Sequence, residues 1–480
     1  MSKINKIMLA APNNRWSGLR VWQDFPYTLG MLTAVLKDRY DVRILDANNN
    51  NLSVDEVKNR VGEYAPDIFG VSCMSMEYAL DYKTMTSCAK SASPETKVIV
   101  GGIFPTVLPE VVMKDENIDY MILGEGEHRF PKLLEYLENK KPLDEIDGLA
   151  YRNNGRIVVQ EIKDYIQNLD SLPLPNYDNL DFYAYANRGN RYVPSLFPSK
   201  FPHAQTITSR GCAFKCVFCS SQTIHGPKIR YRSAESVLEE TDWLVDKYKI
   251  KELVFFDDNF YLNRKRTKKT LEGLIKRGYD LKWKSINAAV YALDDEILEL
   301  MKESGCYQII LAIESGTQEG QKRLKKPGNI LPKVKPVIKK AKSLGFEIET
   351  MYVIGTPGET WDQIRQTIKF ADELDAEFNL DYLSLNIATP LPKTELYQIS
   401  KERGLLPEGF SFDKLIRGFE YAVITTEEFT PKELEILRAY EWDRINFRTE
   451  EKREKVAKLS GITLEELNDW RIRTRRGVRI

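Results

Sequence analysis

The sequence predicts an α/β protein of two consecutive modules. A Rossmann-like sheet domain comes first, then a partial (βα)6 barrel of the TIM type, and then a small helical carboxyl-terminal region. Three observations predict this. Short apolar or β-branched runs alternate with amphipathic stretches twice over, first up to about residue 140 and again from Gln205 to about residue 400. A segment rich in proline and tyrosine, containing PLPNYD and PSLFPSKFP, separates the two series. The residues after about 400 are charge-rich and helix-favouring, and end in RIRTRRGVRI, which reads as a solvated helix end.

In the first series the strand candidates are Lys6–Ala10, Val42–Asp46, Ile68–Ser72, Lys97–Val100 and Tyr120–Leu123. Helical periodicity falls between them at Leu29–Lys37, Val54–Tyr64, Tyr78–Ser91 and Arg129–Glu138. Strands that are apolar on both faces and separated by helices make a parallel sheet covered on both sides, because parallel strands need crossover connections. Such sheets bind ligands beyond the carboxyl ends of their strands. Those ends carry Asn13, Ser72, Gly101-Gly102 and Gly124-Glu125-Gly126.

Residues 141–204 show no sustained period, and proline at their density interrupts helices and ladders alike, so they are expected to be a connector packed over the surface. In the second series, strands are expected near Thr206–Ser209, Leu253–Phe256, Lys284–Asn287, Gln308–Ala312, Glu349–Val353 and Tyr382–Asn386, each followed by an amphipathic segment. Six βα units make a partial barrel whose chemistry belongs at the carboxyl ends of its strands. The expected organisation is therefore a sheet domain at 1–140, a connector at 141–204, a barrel at 205–400 and a helical region at 401–480.

Lys plus Arg equals Asp plus Glu at 70 each, which gives no reason to expect a protein that coats nucleic acid or an acidic membrane. No apolar run approaches the ~20 residues that span a bilayer, and the first residues lack a signal-peptide core, so a cytoplasmic location is expected. Three of the six cysteines, Cys212, Cys216 and Cys219, fall within eight positions in Ser209-Arg-Gly-Cys-Ala-Phe-Lys-Cys-Val-Phe-Cys-Ser, directly after the first barrel strand. Cys-x3-Cys-x2-Cys lets one loop place three thiolates around a cubane iron–sulfur cluster and leaves the fourth iron open. The alternative is a zinc knob completed by His225. Cys73, Cys88 and Cys306 are isolated and lack the spacing of a second site.

The triplet, with Phe218 just before its third cysteine, resembles that of the radical S-adenosylmethionine enzymes. Further strand ends resemble the same family in order. Phe255-Phe256-Asp257-Asp258-Asn259 stands where the family keeps an acidic residue that holds the amino group of S-adenosylmethionine, here Asp257 or Asp258 in place of the usual Gly-Gly-Glu. Ala312-Ile313-Glu314-Ser315-Gly316 is similar to the ribose-binding stretch, with Glu314 as hydroxyl acceptor and Ser315 beside it. Ile354-Gly355 belongs to a segment that resembles the surface packed on adenine.

A Rossmann-like sheet ahead of such a barrel is similar to the cobalamin-binding radical S-adenosylmethionine enzymes. The resemblance covers roughly residues 1–400. It implies a [4Fe-4S] cluster on Cys212, Cys216 and Cys219, S-adenosylmethionine at the barrel mouth, and cobalamin over Asn13, Ser72, Gly101, Gly102, Gly124 and Gly126. None of the three histidines lies in an Asp-x-His-x-x-Gly motif, so no histidine is expected below cobalt. The implied activity is methylation of an unactivated carbon of a small-molecule or natural-product substrate, by way of a 5′-deoxyadenosyl radical and methylcobalamin. Electrons would come from an external low-potential donor, flavodoxin or ferredoxin. The alternatives are ring closure or skeletal rearrangement without methyl transfer, and a non-catalytic zinc or iron–sulfur protein.

Overall fold

The computed structural model describes residues 3–18, 21–412 and 421–477. They form two compact units. The first runs to Tyr185 and takes in Thr223–Gly226; the second comprises Ala186–Gln222 and the chain from Pro227 onward. The boundary thus falls inside the expected connector. Residues 413–420 and 478–480 of the predicted helical region lie outside the described residues.

The first unit carries strands β1 (Lys6–Ala11), β2 (Asp41–Asp46), β3 (Ile68–Ser72), β4 (Lys97–Gly101) and β5 (Tyr120–Ile122), paired in parallel in the order β2-β1-β3-β4-β5. Alternate residues feed two cores. Met8, Ala10, Phe69, Val71, Val98 and Val100 face one layer. Ile7, Leu9, Ile68 and Ile99 face the other, with Leu29, Phe130 and Leu133 from the helices Tyr27–Leu36 and Gly126–Asn139. Burial on both faces is what produced the continuous apolar runs in the sequence.

The connector is more regular than its prolines suggest. Strands β6 (Leu149–Asn153) and β7 (Arg156–Val159) extend the sheet in antiparallel fashion to seven strands, joined through Asn154 and Gly155, both at positive φ. Of the tyrosines that follow, Tyr177 and Tyr185 are buried packing residues, whereas Tyr183 is exposed. Tyr177 lies against Gly30, and the Tyr185 hydroxyl donates to Asp46 Oδ2 at 2.6 Å.

The second unit opens with β8 (His203–Thr206), three residues earlier than expected. The next segment, β9 (Ser209–Arg210), leaves the barrel to pair antiparallel with β10 (Arg230–Tyr231). Strands β11 (Glu252–Phe255), β12 (Lys282–Ser285), β13 (Cys306–Glu314), β14 (Glu347–Ile354) and β15 (Tyr382–Ile387) complete a six-stranded parallel sheet, order β15-β14-β13-β12-β11-β8. At its amino end two buried charges bind a proline-rich stretch of the former connector. Lys284 Nζ donates to Phe197 O at 2.7 Å, and Glu252 accepts from Ser199 N at 2.7 Å and Lys200 N at 2.9 Å. Backbone that forms no ladder is thereby hydrogen-bonded rather than left unsatisfied. Helices Pro431–Asn446, Glu450–Leu459 and Leu464–Arg476 close the described chain. No described helix is long and apolar enough to cross a membrane.

Candidate functional site

At the carboxyl ends of the barrel strands a cleft is lined by Cys212, Cys216 and Cys219, with Asp258 and Asn259 after β11, Asn287 and Tyr291 after β12, Glu314 at the end of β13, and Lys326. The cysteine loop is held from several sides. Cys219 N donates to Cys216 O at 3.0 Å, Gln222 Nε2 to Phe214 O at 3.0 Å, and Leu396 N to Val217 O at 2.8 Å. Phe218 lines the cleft and packs against Val353, Ala388, Leu396 and Ile424.

Burial raises the pKa of all three thiols, that of Cys219 to about 11, while the Lys326 ammonium acts in the opposite direction on Cys212 and Cys216. The protein alone therefore leaves them protonated at neutral pH, and a bound metal centre is what deprotonates such thiols. Two buried polar atoms of the lining, Asn259 Oδ1 and the Tyr291 hydroxyl, find no hydrogen-bond partner among the described residues. Orphaned polar atoms of this kind fit a site completed by a bound group.

Glu314 is the strained residue of the site. Its φ of 70° is a left-handed conformation that side chains other than glycine seldom adopt, and the β13–β14 register shifts at the same place. The turn is pinned by Gln321, whose Nε2 donates to Ile313 O at 2.7 Å and Ser315 O at 2.6 Å. Strain so fixed turns the carboxylate into the cleft, 3.3 Å from Lys326 Nζ. Burial disfavours the Lys326 ammonium, but Glu314 and the cysteine sulfurs outweigh it and raise its pKa.

The remaining predicted residues have other surroundings. Asp257 is buried away from the cleft, accepting from Thr208 N at 3.1 Å, Thr208 Oγ1 at 2.8 Å and Ser209 Oγ; adjacent residues at a strand end point to opposite sides, so Asp258 alone of the pair reaches the cleft. Ser315 is likewise turned inward, with its hydroxyl 3.3 Å from that of Thr367. Ile354 is buried in β14, and Gly355 sits at φ 84°, a conformation that favours glycine, with Leu434 Cδ1 2.5 Å from where a Cβ would stand. The Thr356–Thr360 stretch leads into the helix Trp361–Phe378, with Thr360 and Gln363 forming its capping box. Of the residues that sequence reasoning did not single out, Asn259 follows directly on Asp258. Lys326 follows Lys322 and Lys325 in a basic stretch that carries no motif of its own.

In the sheet unit the predicted residues gather at strand ends. Asn13 is buried, donating to Leu52 O and accepting from Arg15 N, both at 3.1 Å. Ser72 ends β3 in register with Gly101. Gly102 has φ 111° and ψ −167°, a region essentially confined to glycine, and a Cβ would stand 2.5 Å from Cys73 O. Gly124 N donates to Thr106 Oγ1 at 2.8 Å, and Gly126 begins the helix Gly126–Asn139.

Residues 206–371 match the Radical SAM superfamily and residues 25–134 the B12 binding domain. The chain is 32% identical over 408 residues to an uncharacterized methyltransferase of Pyrococcus horikoshii, covering 84% of this chain and 85% of that protein. The chain belongs to the cobalamin-binding radical S-adenosylmethionine family. It is also 28% identical over 429 residues to the cytidylyl-2-hydroxyethylphosphonate methyltransferase of Streptomyces wedmorensis, 80% of this chain and 79% of that one. In fold it is similar to the radical S-adenosylmethionine methyltransferase TsrM from Kitasatospora setae with cobalamin and a [4Fe-4S] cluster bound, with a TM-score of 0.69, 16% identity, and coverage of 100% of this chain and 99% of that one. It is similar too to the cobalamin-dependent S-adenosylmethionine radical enzyme OxsB, with a TM-score of 0.75, 17% identity, and coverage of 99% and 72%. The family's cofactors are the [4Fe-4S] cluster, S-adenosylmethionine and cobalamin, and the cleft described above has the donor set that the first two require.

Proposed function

We propose that this radical S-adenosylmethionine enzyme transfers a methyl group to an unactivated carbon of a small molecule. The observation that carries the reading is one cleft that unites the cysteine triplet with Asp258, Glu314 and Lys326, in a chain that also has a B12 binding domain. When bound, cluster and S-adenosylmethionine supply a carbon radical that removes hydrogen from substrate, and cobalamin supplies the methyl group. Cys212, Cys216 and Cys219 hold the cluster. Asp258 and Asn259 accept from the amino group of S-adenosylmethionine, and Glu314 from its ribose hydroxyls. Lys326 pairs with Glu314 and offsets the negative charge of the thiolates. Residues 1–140 bind cobalamin, 205–400 form the radical barrel, and the segments at 141–204 and 401–480 are connector and helical region. A flavodoxin or ferredoxin delivers the electron, in the cytoplasm.

The test is to supply cobalamin and S-adenosylmethionine to the reduced protein under nitrogen and follow 5′-deoxyadenosine together with methylated cobalamin. Both are expected, and a properly loaded protein that forms no nucleoside overturns the reading. A second reading keeps the cofactors but ends in ring closure. It is supported by 27% identity over 421 residues, 85% of this chain and 72% of the relative, to the anaerobic magnesium-protoporphyrin IX monomethyl ester cyclase of Rubrivivax gelatinosus. A substrate that gains the mass of one methylene unit favours transfer, and one that loses hydrogen favours cyclisation.

A further inference from the structure

Tyr291 occupies the turn Val290–Ala292 after β12, where Ala292 N donates to Ala289 O at 2.9 Å and fixes the backbone. Its ring stands edge-on to Phe214 of the cysteine loop, with centroids 5.4 Å apart at 86°, and lines the same cleft as the three cysteines. The hydroxyl is buried, yet among the described residues nothing accepts its proton or donates to it. A buried hydroxyl left so is destabilising, and buried tyrosines ordinarily find a partner.

We propose that Tyr291 donates a hydrogen bond to a bridging sulfide of the iron–sulfur centre and thereby sets the reduction potential of that centre. Hydrogen bonds to the sulfurs are among the groups that fix cluster potentials. Such a bond is stronger in the reduced, more negatively charged state, and so raises the potential. Tyr291 is a positioning residue in this account: it tunes the electron that the cluster delivers and does not touch the carbon that reacts. The inference rests on the cysteine triplet holding a cluster and is independent of whether methyl transfer or cyclisation follows.

The test compares the full-length protein and Tyr291→Phe after anaerobic loading with iron and sulfide, reading iron content and the one-electron midpoint potential by EPR-monitored titration. Tyr291→Phe is expected to bind a full cluster whose redox equilibrium shifts about tenfold, roughly 59 mV more negative for one electron. Replacing Tyr291 with 3-fluorotyrosine, a stronger donor of the same shape, is expected to move the potential the other way, a graded response that a merely structural role would not give. A full cluster at an unchanged potential in Tyr291→Phe overturns the proposal. If Tyr291→Phe takes up no cluster, the fluorotyrosine protein decides, and an unshifted potential there overturns it. A natural-sequence protein that takes up no cluster overturns the cysteine assignment itself, and the proposal with it.

Discussion

The strand ends of the barrel and those of the sheet domain are built on opposite plans. In the barrel, side chains are left open toward a cleft: Tyr291 and Asn259 keep unpartnered atoms, and Glu314 is held in a strained conformation by Gln321. In the sheet domain the strand-end side chains are spent on one another. Asn13 binds Leu52 and Arg15, Asp46 binds Tyr185, and Glu125 accepts from Ile166 N at 2.8 Å. What remains at the surface of those turns is backbone, brought close by Gly101, Gly102 and Gly124. A site for a charged cluster and a sulfonium needs ionisable groups, whereas a large flat cofactor is recognised by shape and by backbone that can approach it. The barrel site should therefore fail when one side chain is removed, and the sheet site when one is added.

The largest effect is expected at the triplet. Cys216→Ala should lose the cluster and all turnover while its circular dichroism stays native, whereas Cys306→Ala, buried at the start of β13, should bind a full set of four irons per chain by the cubane reading. Iron and sulfide analysis distinguishes the two. A native cluster in Cys216→Ala would break the comparison on the barrel side.

The next effect is one of stability. Gly102→Ala forces an ordinary residue into glycine-only backbone and drives its Cβ against the Cys73 carbonyl, which cannot swing away as a side chain can. Backbone strain of this type costs about 1–3 kcal/mol before the collision is counted, so a loss of about 3 kcal/mol or more is expected in denaturant unfolding of the sheet domain. Iron content should be unaffected, since the cysteine loop belongs to the other unit. A fully stable Gly102→Ala would show that the turn is free to rearrange.

Much of both plans was legible in the sequence, for reasons particular residues make plain. The parallel strands were found to within one to three residues because double-sided burial writes them as continuous apolar runs. The edge hairpin β6–β7 was not, although Asn154-Gly155 is the strongest short-range hairpin signal a sequence offers; the prolines on its carboxyl side led to the whole segment being read as strap. At the site, the triplet, Asp258 and Glu314 were visible as residue types in an order. Asp257 and Ser315 were carried along because neighbours in sequence look equivalent until the strand decides which of them faces inward. Lys326 was hidden, since only tertiary packing separates it from the solvated lysines beside it.

Glu314→Gln tests the strained carboxylate at nearly constant shape. It removes the charge that pairs with Lys326 and weakens the acceptor offered to a ribose hydroxyl. Hydrogen bonds to charged groups are worth about 1.5–3 kcal/mol, so S-adenosylmethionine affinity, measured by calorimetry on the cluster-loaded protein, should fall about 10- to 150-fold. A variant that binds S-adenosylmethionine normally but melts early would move Glu314 from the ligand site to the scaffold.

Gly101→Ala should give the smallest change in stability and the most selective test of the sheet domain. Gly101 has an ordinary backbone conformation, and a Cβ there would find Ile122, its carbonyl oxygen at 3.5 Å and its Cβ at 4.0 Å, both at normal van der Waals distance. Among the described residues nothing demands glycine at this position, unlike Gly102 beside it. If Gly101 is kept small so that a cofactor can lie on the β4 end, one methyl group held between backbone and corrin should weaken cobalamin binding by about tenfold or more, since about 1.4 kcal/mol of lost contact suffices for that, while unfolding stays within about 0.5 kcal/mol of the natural sequence. Titration of the two proteins with hydroxocobalamin, followed by absorbance, reads the difference directly. Equal affinities would mean that this glycine only closes the β4 strand, and the backbone plan for the sheet domain would then rest on Gly102 and Gly124 alone.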